Sequence, residues 1–161
     1  NLMDGGVFVN NPAMCAYSEA RNTLFSKDRF MRGKFKLPKK DKPGAKDMFI
    51  VSIGTGSESK QFRFENLKDA GLVSWLPVLI DIMMSGNSET VDYHLRKIYD
   101  TLDDADKEDY FRLNPSLHNA SPEMDNATKK NTEALYEAGS MYVYDNQEQL
   151  NKIAAKLVEY A

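Results

Sequence analysis

Met48-Phe49-Ile50-Val51-Ser52-Ile53, closed by Gly54-Thr55-Gly56-Ser57, is the stretch that sets the fold class. A short, nearly continuous apolar run bounded by glycines is the pattern of a strand buried on both faces, and such strands belong to sheets covered by helices. Tyr110-Phe111-Arg112-Leu113, stopped by Asn114-Pro115, reads as a second short strand. Around these two the apolar residues keep helical spacing. From Pro12 to about Ser26 they recur at Ala13, Ala16, Tyr17, Ala20 and Leu24, the pattern of a helix with one buried face. Leu72 to Met84 is strongly apolar and reads as a core or interface-seeking helix with Pro77 near its first turns. Gly86-Asn87 then separates it from an amphipathic helix with Val91, Leu95, Ile98 and Leu102 on one side. Ala127, Asn131, Ala134, Leu135, Ala138, Met141 and Tyr142 predict another helix, and Leu150, Ile153, Ala154, Leu157 and Val158 a last one from near Asp145. The order helix, strand, helix, helix, strand, helix, helix predicts an α/β protein built in layers.

Ahead of all this stands Asn1-Leu2-Met3-Asp4-Gly5-Gly6-Val7-Phe8-Val9-Asn10-Asn11-Pro12. An acidic side chain followed by two glycines marks a tight turn that another group can approach closely. Asn11-Pro12 has the chemistry of a helix start, Asn11 as N-cap and Pro12 at the first helical position. Asp4 is therefore expected on a short, stiff connector, a good place to hold one carboxylate still. Alone, Asp-Gly-Gly is far more often a turn than a catalytic site. Gly54-Thr55-Gly56 lacks the Lys-Ser/Thr of a phosphate loop, so these are read as structural glycines at a strand end.

The 161 residues, 42% hydrophobic and 28% charged with a net charge of −3, fit one soluble globular domain. No run reaches the ~18–20 apolar residues that span a bilayer. The first residues lack the basic and apolar regions of a signal peptide. A start without Met, leading straight into the acidic turn, is expected of a piece of something longer. Cys15 is the only cysteine, which excludes an internal disulfide or a cysteine cluster for metal, and it reads as a packed core thiol. His94 and His118 share no metal-ligand spacing and are expected in surface or supporting roles. Lys27 to Lys46 carries nine basic side chains against two acidic ones, with Gly33, Pro38, Pro43 and Gly44 inside it, as in a long surface loop. Solubility is its commoner use; attraction to anionic headgroups, at about 1 kcal/mol per well-placed basic residue, is the other.

Four features stand in one order: Asp4-Gly5-Gly6 with Asn10-Asn11-Pro12 and a helix behind it; Val51-Ser52-Ile53-Gly54-Thr55-Gly56; the Trp75 helix running on to Asp92-Tyr93-His94-Leu95; and Phe111-Arg112-Leu113 followed by Met124-Asp125-Asn126-Ala127. In these the chain resembles the C-terminal part of a patatin-like phospholipase, a lipid acyl hydrolase. The resemblance implies a three-layer α/β/α patatin-like fold, with residues 1–161 as the C-terminal segment of one domain. It implies a Ser–Asp catalytic dyad in which Asp4 is the aspartate, with Gly5, Gly6, Asn10 and Asn11 supporting its turn. In the family the serine lies upstream in a Gly-x-Ser-x-Gly elbow, with a glycine-rich oxyanion loop earlier still, and this sequence has neither. The expected partners are thus an N-terminal segment carrying the nucleophile, a phospholipid or other acyl lipid, and peripherally a membrane, with no nucleic acid. No cofactor and no metal are implied. The expected location is cytoplasmic or at a membrane surface, and this segment alone is expected to be inactive. A non-catalytic module of the same fold, binding a lipid surface or a protein, is the alternative.

The chemistry asks something specific of Asp4. Acyl transfer needs a serine made nucleophilic by a nearby base and donors for the developing oxyanion. A carboxylate with an ordinary pKa of ~3.9 is a weak base at neutral pH. Partial burial disfavours its charged form and would make it a better one.

Overall fold

A computed structural model describes residues 5–23, 42–57, 68 and 71–160. They gather into two compact units, Asn1–Ser52 with Phe62–Phe111, and Ile53–Gln61 with Arg112–Ala161. The described elements are a single helical turn α1 (Gly5–Phe8), α2 (Ala13–Asn22), β1 (Ile50–Ile53), α3 (Leu72–Asp100), β2 (Tyr110–Leu113), α4 (Lys129–Asp145) and α5 (Gln147–Tyr160). Short 3₁₀ turns, Ala45–Asp47 and Lys107–Asp109, lead into the two strands. The mixture of helices with a two-stranded sheet agrees with the α/β class.

The core of the first unit is organised by α3. Leu95 and Tyr99, one helical turn apart, are fully buried among Ala13, Tyr17, Ala45 and Tyr110, with Met48, Ile50, Val91 and Ile98 packed against them. A buried tyrosine needs a partner for its hydroxyl. Tyr99 donates to the Met48 carbonyl at 2.8 Å, fastening α3 to the entry of β1. Tyr110, whose ring lies 5.9 Å from that of Tyr99, donates to Asp92 Oδ1 at 2.7 Å. Arg96 Nε occupies the other Asp92 oxygen at 2.9 Å, so this carboxylate serves to lock β2 onto α3.

β1 and β2 pair in parallel. Beyond them the ladder continues in the second unit: Gly54 N–H donates to the Leu113 carbonyl, Ser57 N–H to that of Pro115, and Leu117 N–H back to Ser57. Gly56 has φ 102°, and a Cβ on it would meet the Leu117 side chain. Asn114 Oδ1 accepts from Gly56 N–H at 3.1 Å and sits where a Cβ on Gly54 would go. Both glycines are structural, as the missing phosphate-loop lysine implies. Asn131, buried near the start of α4, donates to the carbonyls of Ser121 and Asn126 and accepts from Ser121 N–H, fixing the loop before the helix.

Four local expectations change. The two helices expected on either side of Gly86-Asn87 are one continuous α3, since one internal glycine costs only about 1 kcal/mol and the Ser85 and Thr90 hydroxyls are satisfied on the Asp81 and Gly86 carbonyls without ending the helix. Cys15 is exposed, since Ala13 and Tyr17 take the buried side of α2 and Cys15 points about 200° round from Ala13. In β1 only Ser52 is buried, and Ile53 is exposed, so the strand is not covered on both faces among the described residues. Finally, α2 begins at Ala13 with Pro12 in the capping position, one residue later than the Asn-Pro chemistry predicts.

Candidate functional site

Asp4 lies outside the described residues, and its neighbour Gly5 is the first residue of α1. The turn closes with Val9 N–H on the Gly5 carbonyl at 2.7 Å. A Cβ on Gly5 would meet nothing within 4 Å, so crowding among the described residues does not account for the glycine there.

The segment just after this turn is held closely. Asn11 is only 1% exposed and joins three elements. Its Oδ1 accepts from Ala13 N–H, the first helical N–H of α2, at 3.1 Å, and from Ser52 Oγ on β1 at 3.4 Å. Its Nδ2 donates to the Ser88 carbonyl on α3 at 3.3 Å. The expected cap is therefore replaced: Pro12 holds the capping position without a side-chain bond, and Asn11, one place earlier, satisfies the first helical N–H instead.

Two further amides complete the attachment. Asn10 Nδ2 donates to the Met84 carbonyl at 3.3 Å, and Asn87 Nδ2 donates to the Phe8 carbonyl at 3.4 Å. Met84, Asn87 and Ser88 share one side of α3 by their i, i+3, i+4 spacing. The carbonyls of Met84 and Ser88 already serve the helix ladder, and each has a second lone pair for the turn. Of the residues singled out from sequence, Gly5, Gly6, Asn10 and Asn11 therefore lie on one segment docked against the middle of α3.

Sequence reasoning missed the residues on the receiving side: Ser52, Asn87 and Ser88. The signal is a small polar run, Ser85-Gly86-Asn87-Ser88, between the apolar first half of the helix and its amphipathic second half. Periodicity takes it for a break between helices instead of a landing site.

The rival chemistries gain little. His94 and His118 are both exposed, His94 with its ring edge-on to Tyr93 at 5.6 Å. Among the described residues no three His, Cys, Asp or Glu side chains come together as a metal site. An open groove of about 410 Å³ in the first unit is lined by Tyr93, Arg96, Lys97, Asp100, Lys107 and Tyr110. Its cations are each engaged by a carboxylate, Arg96 by Asp92, Lys97 by Asp100 and Lys107 by Asp104, so it is poorly suited to an anion. Most of the basic stretch Lys27–Lys46 lies outside the described residues. No described helix is long and apolar enough to cross a membrane.

No protein-family model matches the chain. Individual proteins do. Patatin-like protein 1 of Arabidopsis thaliana is 33% identical over 161 aligned residues, which cover 94% of this chain and 36% of that protein. Patatin-like protein 1 of Oryza sativa subsp. indica is 30% identical, covering 99% of the chain and 39% of its own length. Patatin-17 of Solanum cardiophyllum is 31% identical over 86% of the chain and 35% of its length. The chain thus spans a little over a third of the curated relatives it matches. Aligned almost end to end with proteins of that name, the chain belongs to the patatin-like family.

Proposed function

We propose that this chain is the aspartate-bearing, C-terminal portion of a three-layer α/β/α lipid acyl hydrolase, with Asp4 as the base of a Ser–Asp dyad. The observation that supports it most is the junction at Asn11. A buried amide that ties α2, β1 and α3 together fixes the segment running on from Asp4, as a dyad carboxylate requires. The serine comes from an N-terminal segment, and the substrate is a phospholipid or other acyl lipid. Leu72, Leu76, Leu79, Ile80 and Met83 form an exposed apolar stripe on the first half of α3, which supports the need for such a covering segment.

In the reaction, Asp4 accepts the serine hydroxyl proton as Oγ attacks the ester carbonyl. Donors on the upstream segment stabilise the oxyanion, and the proton passes from Asp4 to the departing alcohol. Water then loses a proton to Asp4, attacks the acyl-enzyme, and the proton returns to the serine.

The test is Asp4→Asn in the complete protein. Turnover of a soluble ester is expected to fall by about 10³-fold or more, in line with the loss of a general base whose partners act as a unit. Activity within a few-fold of wild type would remove Asp4 from the chemistry. A complete protein that never labels with a serine-directed fluorophosphonate would favour the non-catalytic lipid- or protein-binding module.

A further inference from the structure

We propose that Asn87 is a positioning residue for the carboxylate of Asp4, holding the turn against the segment that brings the nucleophile. This rests on the Ser–Asp reading and adds a residue on α3 that the reading does not need for its own statement.

Three observations carry it. Asn87 Nδ2 donates to the carbonyl of Phe8, the last residue of the turn that starts directly after Asp4. Terminal carbonyls of a helical turn lack partners within it, so this amide supplies one where the turn would otherwise fray. Phe8 stands four residues after Asp4 in the sequence, so this amide holds the segment that leads out of that residue. Next, Asn87 Oδ1 is buried and has no hydrogen-bond partner among the described residues. A buried amide oxygen without a donor is costly, and its retention fits a donor that arrives with another segment. Lastly, the bonds made by Asn10 and Asn11 end on the main chain of α3, whereas Asn87 contributes a side chain. It can therefore be replaced without changing any residue of the turn or removing a main-chain bond of the helix ladder.

With one amide, Asn87 faces both halves of the site: its nitrogen holds the aspartate side and its oxygen receives from the serine side. Its effect on turnover runs through the distance and angle between Asp4 and the serine hydroxyl, and a misplacement of the order of 1 Å can cost ~10²-fold in rate.

The experiment uses the complete protein and a short-chain p-nitrophenyl ester, with kcat expressed per fluorophosphonate-labelled site and thermal melting recorded alongside. Asn87→Leu, nearly the same size but without polar atoms, is expected to lower kcat about tenfold with KM unchanged within twofold. Asn87→Gln, which restores both polar groups on a longer arm, is expected to recover kcat to within about threefold. A merely structural role would lower the melting temperature and the labelled fraction while leaving kcat per labelled site alone, and that result overturns the proposal. Failure of Asn87→Gln to recover any rate overturns it as well. If Asp4→Asn abolishes turnover while Asn87→Leu does not reduce it, the dyad stands and the positioning role falls. Turnover that survives Asp4→Asn removes both.

Discussion

Asn11→Ala tests the junction on which the site depends, without any need for an activity. The side chain is 1% exposed and makes three hydrogen bonds, to Ala13 N–H, Ser52 Oγ and the Ser88 carbonyl. Losing the acceptor of the first helical N–H of α2 costs about 1 kcal/mol. The other two bonds, at 3.3 and 3.4 Å, are long and neutral, and each is worth about 0.5 kcal/mol at the low end of the usual range. The Ser88 carbonyl keeps its helix partner, and Ser52 has other interactions, which places both costs at that low end. Together the loss is about 2 kcal/mol, equivalent to about 4–8 °C in melting temperature for a chain of this size. Urea denaturation followed by circular dichroism is the assay, and the midpoint should fall while the slope stays constant. Asn11→Ser, which can still accept from Ala13 N–H but cannot span to both other partners, should lose about half as much. Asn11→Asp keeps the acceptor yet brings a charge into a buried place, and should be worse than Asn11→Ser. A loss below about 0.5 kcal/mol for Asn11→Ala would refute the junction, being no more than an ordinary surface change. Equal losses for Ala and Ser would show that the bond from Ala13 N–H contributes nothing there.

Glycines provide a paired test. Gly56→Ala, at φ 102° and against Leu117, should destabilise by about 1–3 kcal/mol, whereas Gly86→Ala, inside α3 with open space beside it, should stabilise by about 0.5–1 kcal/mol, both read from urea midpoints. Tyr110→Phe removes the bond to Asp92, whose side chain is only 25% exposed; a loss of about 1 kcal/mol is expected, and no loss would mean that Asp92 is held by Arg96 alone. The hydrogen bond from Lys97 holds the Asp100 carboxyl below the ordinary carboxylate range, and the same bond raises Lys97. Asp100 therefore contributes above about pH 4 and loses that contribution as pH falls through its lowered value; Lys97 contributes below about pH 10.4 and loses its share as pH rises through its raised one. Both groups are exposed, so salt should mute the effect, and an NMR titration in which Lys97→Ala leaves Asp100 unmoved would refute the pairing.

How far the sequence could be read depended on how local each cause was. Helix-start chemistry acts over one or two residues, and Asn11-Pro12 does stand at the start of α2, but with Pro12 in the capping position and Asn11 accepting from the first helical N–H. Tyr110-Phe111-Arg112-Leu113 is a strand as written, because its apolar character and the Asn114-Pro115 after it are both within a few residues. The prediction that β1 is covered on both faces relied on elements the run itself cannot name. Among the described residues Ile53 is exposed, and β1 has one sheet neighbour, β2. The amphipathic pattern in α2 identified its buried Ala13 and Tyr17, but the apolar neighbours of Cys15 point to a packed thiol while the helical angle turns it outward.

The helix break expected at Gly86-Asn87 shows best why the receiving half of the site stayed hidden. A glycine inside a helix costs only about 1 kcal/mol, which a helix running from Leu72 to Asp100 and buried at Leu95 and Tyr99 can absorb. Its polar neighbours were therefore not required to end the helix. They are retained between its two halves while Asn87 meets Phe8 and the Ser88 backbone meets Asn11, partners 79 and 77 residues away in sequence. Periodicity cannot register such contacts, since it compares residues only with their neighbours on the same element. A small polar run between the apolar and amphipathic halves of a helix is then better read as the place where another part of the chain comes to rest. Here that part begins one residue after Asp4.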